Sequence, residues 1–117
     1  MNLDNAAAAH ALWKTKLRAA IAKHEQLDVV NLSRDDRCEL GQWLHGEGRS
    51  SYGRLASHGD CMHKHLAFHS EVTKVAKVVN AGRYEEAQRM LDIGSGFTKA
   101  SSALSVAFLR LRKDAGV

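Results

Sequence analysis

Not one of the 117 residues is proline. Proline breaks helices and shapes the tight turns of sheet proteins, so its absence leaves helical runs uninterrupted and argues against a turn-rich sandwich. With 44% hydrophobic residues and only three Phe, two Trp and two Tyr, the chain is expected to be all-α. At this length a core can bury roughly two thirds of the unfolded surface without disulfides. The expectation is one domain over residues 1–117, in which a metal is optional for folding.

Hydrophobic periodicity divides the chain into helices. His10, Trp13, Leu17, Ile21 and His24 step by three or four within a first helix over Asp4 to Leu27, with Lys14, Lys16, Arg18 and Lys23 largely off that stripe. Val29 to Ser33 reads as a connection. Ser33 with Asp36 three residues on resembles the start of a short second helix through Leu44, which places Cys38 in its first turns. A thiol there feels the positive end of the helix dipole, which favours thiolate. Gly41 permits close approach of a neighbour, and Trp43 with Leu44 closes the short helix onto the rest. The glycines and serines of His45 to Gly53 form a loop, without the Lys-Ser/Thr ending of a phosphate loop. A third helix from Arg54 to Val79 carries the seam Met62, His65, His69, Val72, Ala76 and Val79. Asn80-Ala81-Gly82 stops it. A fourth helix from Tyr84 turns Ala87, Met90, Leu91, Phe97, Leu104, Phe108 and Leu111 inward, with a kink at Gly94-Ser95-Gly96. The predicted architecture is an antiparallel four-helix bundle with an additional short helix carrying a cysteine.

Chemistry concentrates on the third helix. His65 and His69 lie four residues apart on one face, where two imidazoles can bind one metal ion. With seven histidines in the chain, such a pair alone is weak evidence. Two imidazoles on an apolar stripe are nevertheless costly unless hydrogen-bonded or metal-bound. His58, Cys61 and His63 on the same helix are further donors. Cys61, His65 and His69 together span roughly 12 Å of helix axis, too far for one zinc. The metal would take Cys61 with His65 or His65 with His69, and donors from other helices must complete it. His10 and Cys38 are the available inward-facing ones.

Three motifs then resemble the bacterial chemoreceptor zinc-binding domain, known as CZB. They are His10-Ala11-Leu12-Trp13-Lys14, Cys38-Glu39-Leu40-Gly41-Gln42-Trp43 and His65-Leu66-Ala67-Phe68-His69, in the order and spacing of that family. The resemblance implies a four-helix bundle holding one zinc through three histidines and one cysteine, here His10, Cys38, His65 and His69. It leaves Cys61, His24 and His58 as structural residues. It also implies two inputs, zinc and oxidants such as hypochlorous acid, a homodimeric state, and a chemoreceptor or diguanylate cyclase as signalling partner. Neither partner is encoded within these residues, so the chain is expected to act in trans or to be a piece of something larger, and Met1 favours a complete reading frame.

Several function classes are disfavoured. Four protein ligands fill zinc's tetrahedral preference and leave no position for an activated water, so no enzyme is expected. The Glu-x-x-His pattern of a diiron bundle is missing. The net charge of +4 is spread over the chain, which argues against nucleic acid. No apolar run reaches the ~18 to 20 residues of a membrane span, and two cysteines make no secreted disulfide framework, so a cytoplasmic location is expected. The expected function is a zinc-binding regulatory domain responding to zinc or to cysteine oxidation. The alternative is a dimerisation or adaptor module in which zinc is a structural staple.

Overall fold

A computed structural model describes residues 2–117. Met1, on which the expectation of a complete reading frame rests, lies outside them. Among the described residues there are eight helices and no strand, packed as an all-α helical bundle. No helix among them is long and apolar enough to cross a membrane.

The predicted first helix is two, α1 (Leu3–Ala11) and α2 (Trp13–Lys23). The interruption at Leu12 is slight. Its N–H still bonds the Ala8 carbonyl at 3.2 Å, and its carbonyl accepts from Lys16 at 3.0 Å. His10, Leu17 and Ile21 are buried as their spacing predicts. The helix ends earlier than expected, at His24, whose φ of 53° is left-handed. That conformation is costly for a residue with a β-carbon. The His24 ring lies flat on Tyr84, with centroids 3.9 Å apart and planes 3° from parallel.

Residues 29–33, expected as a connection, form the short helix α3 (Val29–Ser33), capped by Asp28. The predicted start at Ser33 is not used. The chain is extended at Arg34, which pairs with Asp36 at 2.8 Å, and α4 (Glu39–His45) starts only after Cys38. The Gly/Ser loop is also helical, as α5 (Glu47–Tyr52). It lies so close to Trp43 that a β-carbon at Gly48 would come within 2.9 Å of the indole ring.

Helix α6 (Ala56–Asn80) is the central element, lying along α8 and touching α2, α3, α4, α5 and α7. Its buried side is wider than the predicted seam. Cys61, Phe68 and Val75 are buried beside His65, His69, Val72, Ala76 and Val79, whereas Met62 is only partly covered. The helix stops where expected, with Gly82 at φ 78°. Its last residue, Asn80, accepts from the Leu27 N–H at 2.8 Å and donates to the Leu27 carbonyl at 2.9 Å. This amide clamps the connection after α2 onto the end of α6.

The predicted kinked fourth helix is broken into α7 (Tyr84–Arg89) and α8 (Gly96–Ala115). Gly94 turns left-handed at φ 83°, and the Ser95 hydroxyl accepts from the Thr98 N–H at 3.2 Å to start α8. A serine able to satisfy an otherwise orphaned N–H makes this a termination and restart. Ala87, Leu91, Phe97, Leu104, Phe108 and Leu111 are all buried, as the periodicity predicts, and Met90 is partly so.

Candidate metal centre

Three separate parts of the chain bring His10, Cys38, His65 and His69 together. Helix α1 contributes His10 one residue before its end, and α6 presents His65 and His69 one turn apart. Cys38 is the N-cap of α4, where its Sγ accepts the Gly41 N–H at 3.3 Å. The thiol is therefore placed by the start of the helix, one step before the first turns in which it was expected.

One ligand atom from each residue falls within 4.8 Å of all the others. The Nε2 of His65 is 3.1 Å from that of His10 and 3.2 Å from that of His69. Cys38 Sγ is 3.2 Å from His65 Nε2, 3.6 Å from His69 Nε2 and 3.7 Å from His10 Nε2. Zinc–nitrogen bonds of about 2.0–2.1 Å and zinc–sulfur bonds of about 2.3 Å give tetrahedral edges of roughly 3.3 Å between nitrogens and 3.6 Å from nitrogen to sulfur. These five edges match that scale, and the sixth, between His10 and His69, is within 4.8 Å.

Hydrogen bonds orient two of the rings. His10 Nδ1–H donates to the Ala6 carbonyl at 3.1 Å, and His69 Nδ1–H donates to the Leu32 carbonyl at 2.9 Å. Each bond fixes the tautomer and turns a bare Nε2 lone pair into the cluster. His65 differs. Its Nδ1 is buried without a partner, so this ring is held by packing.

Burial also selects the protonation state. Desolvation pushes the His65 pKa down to about 2, with the neighbouring His69 and His10 acting in the same direction. His10 is lowered for the same leading reason. At neutral pH these rings are uncharged, the form a metal binds. Burial pushes the Cys38 thiol up, and the Gly41 N–H opposes this with a smaller effect. The expectation that the helix start alone favours thiolate is thus corrected: desolvation outweighs the amide groups of a seven-residue helix. A cation among the donors would reverse that balance, because it supplies the missing positive charge. One thiol and three imidazoles whose donor atoms lie within 4.8 Å of one another fit zinc's preference for four nitrogen and sulfur ligands.

The remaining donors lie elsewhere. Cys61 is fully buried, and burial pushes its thiol up to about 12. His58 donates Nε2–H to the Leu44 carbonyl at 2.9 Å, His63 is exposed, and His45 pairs with Asp35 at 3.1 Å. Glu39 is exposed, and Glu71 pairs with Lys74 at 3.0 Å. Sequence reasoning did not identify the carbonyls of Ala6 and Leu32 as ring partners. No signal could reveal them, since every residue carries the same group.

Gly41 has a sharper role than allowing a neighbour to approach. A β-carbon there would overlap the Asp35 carbonyl oxygen and lie 2.7 Å from its carbon and 3.1 Å from Cε1 of His65. The bare Cα therefore lets the turn before Cys38 and the His65 ring meet over α4.

The model of one protein family, described as the chemoreceptor zinc-binding domain, matches residues 10–76. That stretch is more than half of the chain and contains all four donors. No curated protein and no solved structure matches the chain.

Proposed function

We propose that this chain, which belongs to the chemoreceptor zinc-binding domain family, is a regulatory domain that holds one zinc through His10, Cys38, His65 and His69. The observation carrying this reading is the convergence of four donor atoms from three parts of the fold within 4.8 Å. The residues 1–117 act as one domain, in the cytoplasm and as a homodimer, on a chemoreceptor or diguanylate cyclase type of signalling protein.

Zinc, when bound, supplies the positive charge that keeps Cys38 as thiolate. His10 then ties α1, Cys38 the start of α4, and the histidine pair α6, so metal occupancy selects one packing of these elements through differential affinity. Ala6 and Leu32 hold two of the rings in the required tautomer. Cys38 is the responsive member, being the charged and oxidisable donor. Attack of its thiolate on hypochlorous acid forms a sulfenic acid and releases chloride, which removes both the charge and the donor. Zinc availability acts on the same site by mass action. A four-donor shell leaves no position for an activated water, which supports a role other than catalysis.

The test is metal content of the wild type beside Cys38→Ala and His65→Ala. One zinc per chain in the wild type and a clear loss in both variants is expected; full stoichiometry in both would sink the assignment. Competition with graded chelators then asks whether zinc exchanges while the helices stay folded. Zinc released only on unfolding contradicts the sensory role. Light scattering tests the homodimer.

A further inference from the structure

A cavity of about 180 Å3 lies between α1 and α8, open to solvent on one side. Ala7, Leu40, Leu104, Phe108 and Leu109 give it apolar walls, and Ser105 adds a second small side chain. Leu109 is 65% exposed, so the rim presents apolar surface to water. An apolar space of about 150 Å3 is enough to hold benzene. The volume thus suits one aromatic ring or an aliphatic body of similar size.

Three polar side chains line this space, His10, Ser105 and Arg112, and the Ser105 hydroxyl already donates to the Ser101 carbonyl at 3.1 Å. The Arg112 guanidinium lies 5.8 Å from the centroid of Phe108. Nη1 bonds Asp4 at 2.6 Å and Nη2 bonds the Val117 carbonyl at 3.1 Å. The Asp4 side chain is 79% exposed, and an ion pair with so exposed a partner is easily exchanged. A ligand carboxylate can take the place of Asp4, because arginine is built to bind carboxylates and has five N–H donors. Apolar walls beside a cation whose present partner is a surface carboxylate define an amphiphilic anion.

We propose that this cavity binds a small monocarboxylate with a compact apolar body, the body between α1 and α8 and the carboxylate on Arg112. Because His10 forms part of the wall, the ligand also restrains a ring whose Nε2 belongs to the metal centre. Ligand and zinc then tighten each other's binding by the same factor. This linkage rests on the zinc reading above, whereas binding in the cavity does not.

Phenylacetate titrated into the full chain, zinc-loaded and zinc-stripped, with amide NMR shifts as readout, tests both statements. The expected result is saturable millimolar binding, with shifts concentrated on α1 and the second half of α8 and about fivefold tighter binding when zinc is present. Ala7→Leu and Ser105→Leu each fill the space and remove saturation in variants of wild-type helicity. Arg112→Gln weakens phenylacetate about fivefold but leaves the neutral probe benzyl alcohol unaffected. Absence of saturation in the wild type, shifts elsewhere, or wild-type affinity in both filled variants overturns the site. A concentration-dependent mass that phenylacetate does not change, with no saturation, means a second copy covers the cavity and overturns it equally. Equal affinities with and without zinc overturn the linkage alone. If the chain takes up no zinc, the metal reading fails, and the titration of the zinc-free chain still decides the cavity.

Discussion

Replacing Gly41 by alanine should damage the metal centre without touching a donor. The new methyl would overlap the Asp35 carbonyl oxygen, 2.7 Å from the carbonyl carbon and 3.1 Å from Cε1 of His65. The obstacle is backbone on one side and a buried ring on the other, so no flexible side chain can swing away. Restoring ordinary contact requires a shift of roughly 1 Å or more in the turn that leads into Cys38. Alanine would gain up to about 1 kcal/mol from better helix propensity, but overpacking a tight site costs about 1–3 kcal/mol, and more where backbone must move. The strain should win, by about 1–2 kcal/mol net. The same shift separates Cys38 Sγ from His65 Nε2, now 3.2 Å apart, and disturbing the support around a metal typically costs about 10- to 100-fold in affinity. Urea unfolding of the zinc-stripped protein reads the first effect, and competition with a zinc chelator reads the second. A variant with wild-type stability and zinc affinity would refute the close approach at Gly41.

Three further outcomes follow from the geometry. Cys38→Ser keeps a side chain that caps α4 well, so the zinc-stripped variant should unfold at an unchanged or higher urea concentration. Its cobalt complex should lose the sulfur-to-metal charge-transfer band, and retention of that band rules out Cys38 as a donor. His58→Ala leaves the buried Leu44 carbonyl without its donor, which should cost about 1–3 kcal/mol. Thermal melting should show that cost with zinc stoichiometry intact, and loss of zinc would reassign His58 to the metal centre. In the zinc-stripped protein, burial holds the His65 pKa at about 2 and lowers that of His10, while an unfolded histidine takes its proton near pH 6.5. The unfolded chain therefore binds more protons below that pH. Stability should be level between about pH 7 and 8 and fall as pH drops below 6.5, on the order of 1 kcal/mol per pH unit for each such histidine. It should fall again above about pH 8.5, where unfolded thiols ionise while burial keeps Cys61 protonated. Urea midpoints that stay level to pH 5 contradict the histidine part.

All four converging residues were legible in the sequence, by two different routes. The i, i+4 spacing of His65 and His69 is local and survives any packing of the helix that carries it. That His10 and Cys38 should meet them depends on tertiary packing; their inward-facing positions made them candidates, and the family motifs selected them over the Cys61 alternative. The long central helix followed from periodicity alone, but its buried side proved wider, because neighbours on several sides cover Cys61, Phe68 and Val75. Errors gathered where local chemistry competes with packing. Residues 47–52 have weak helix formers at Gly48, Ser50 and Ser51, yet lying on Trp43 makes them helical. The capping serine before Thr98 was present in the sequence, and reading it would have turned the predicted kink into a break.

The clamp between Asn80 and Leu27 bears on how a signal could leave the metal centre. It pins the chain at Leu27 to the end of α6, and Cys38 pins it again beside the histidines. Residues 28–37 are thus a bridge anchored at both ends, attached in between through the Leu32 carbonyl on His69. Val30, on this bridge, is 73% exposed. On the proposed sensory role, loss of the Cys38 contact would leave both the Asn80 clamp and the Leu32–His69 bond in place, while α4 stays seated through buried Leu40, Trp43 and Leu44; the slack would then be confined to residues 33–37, the stretch next to the thiol.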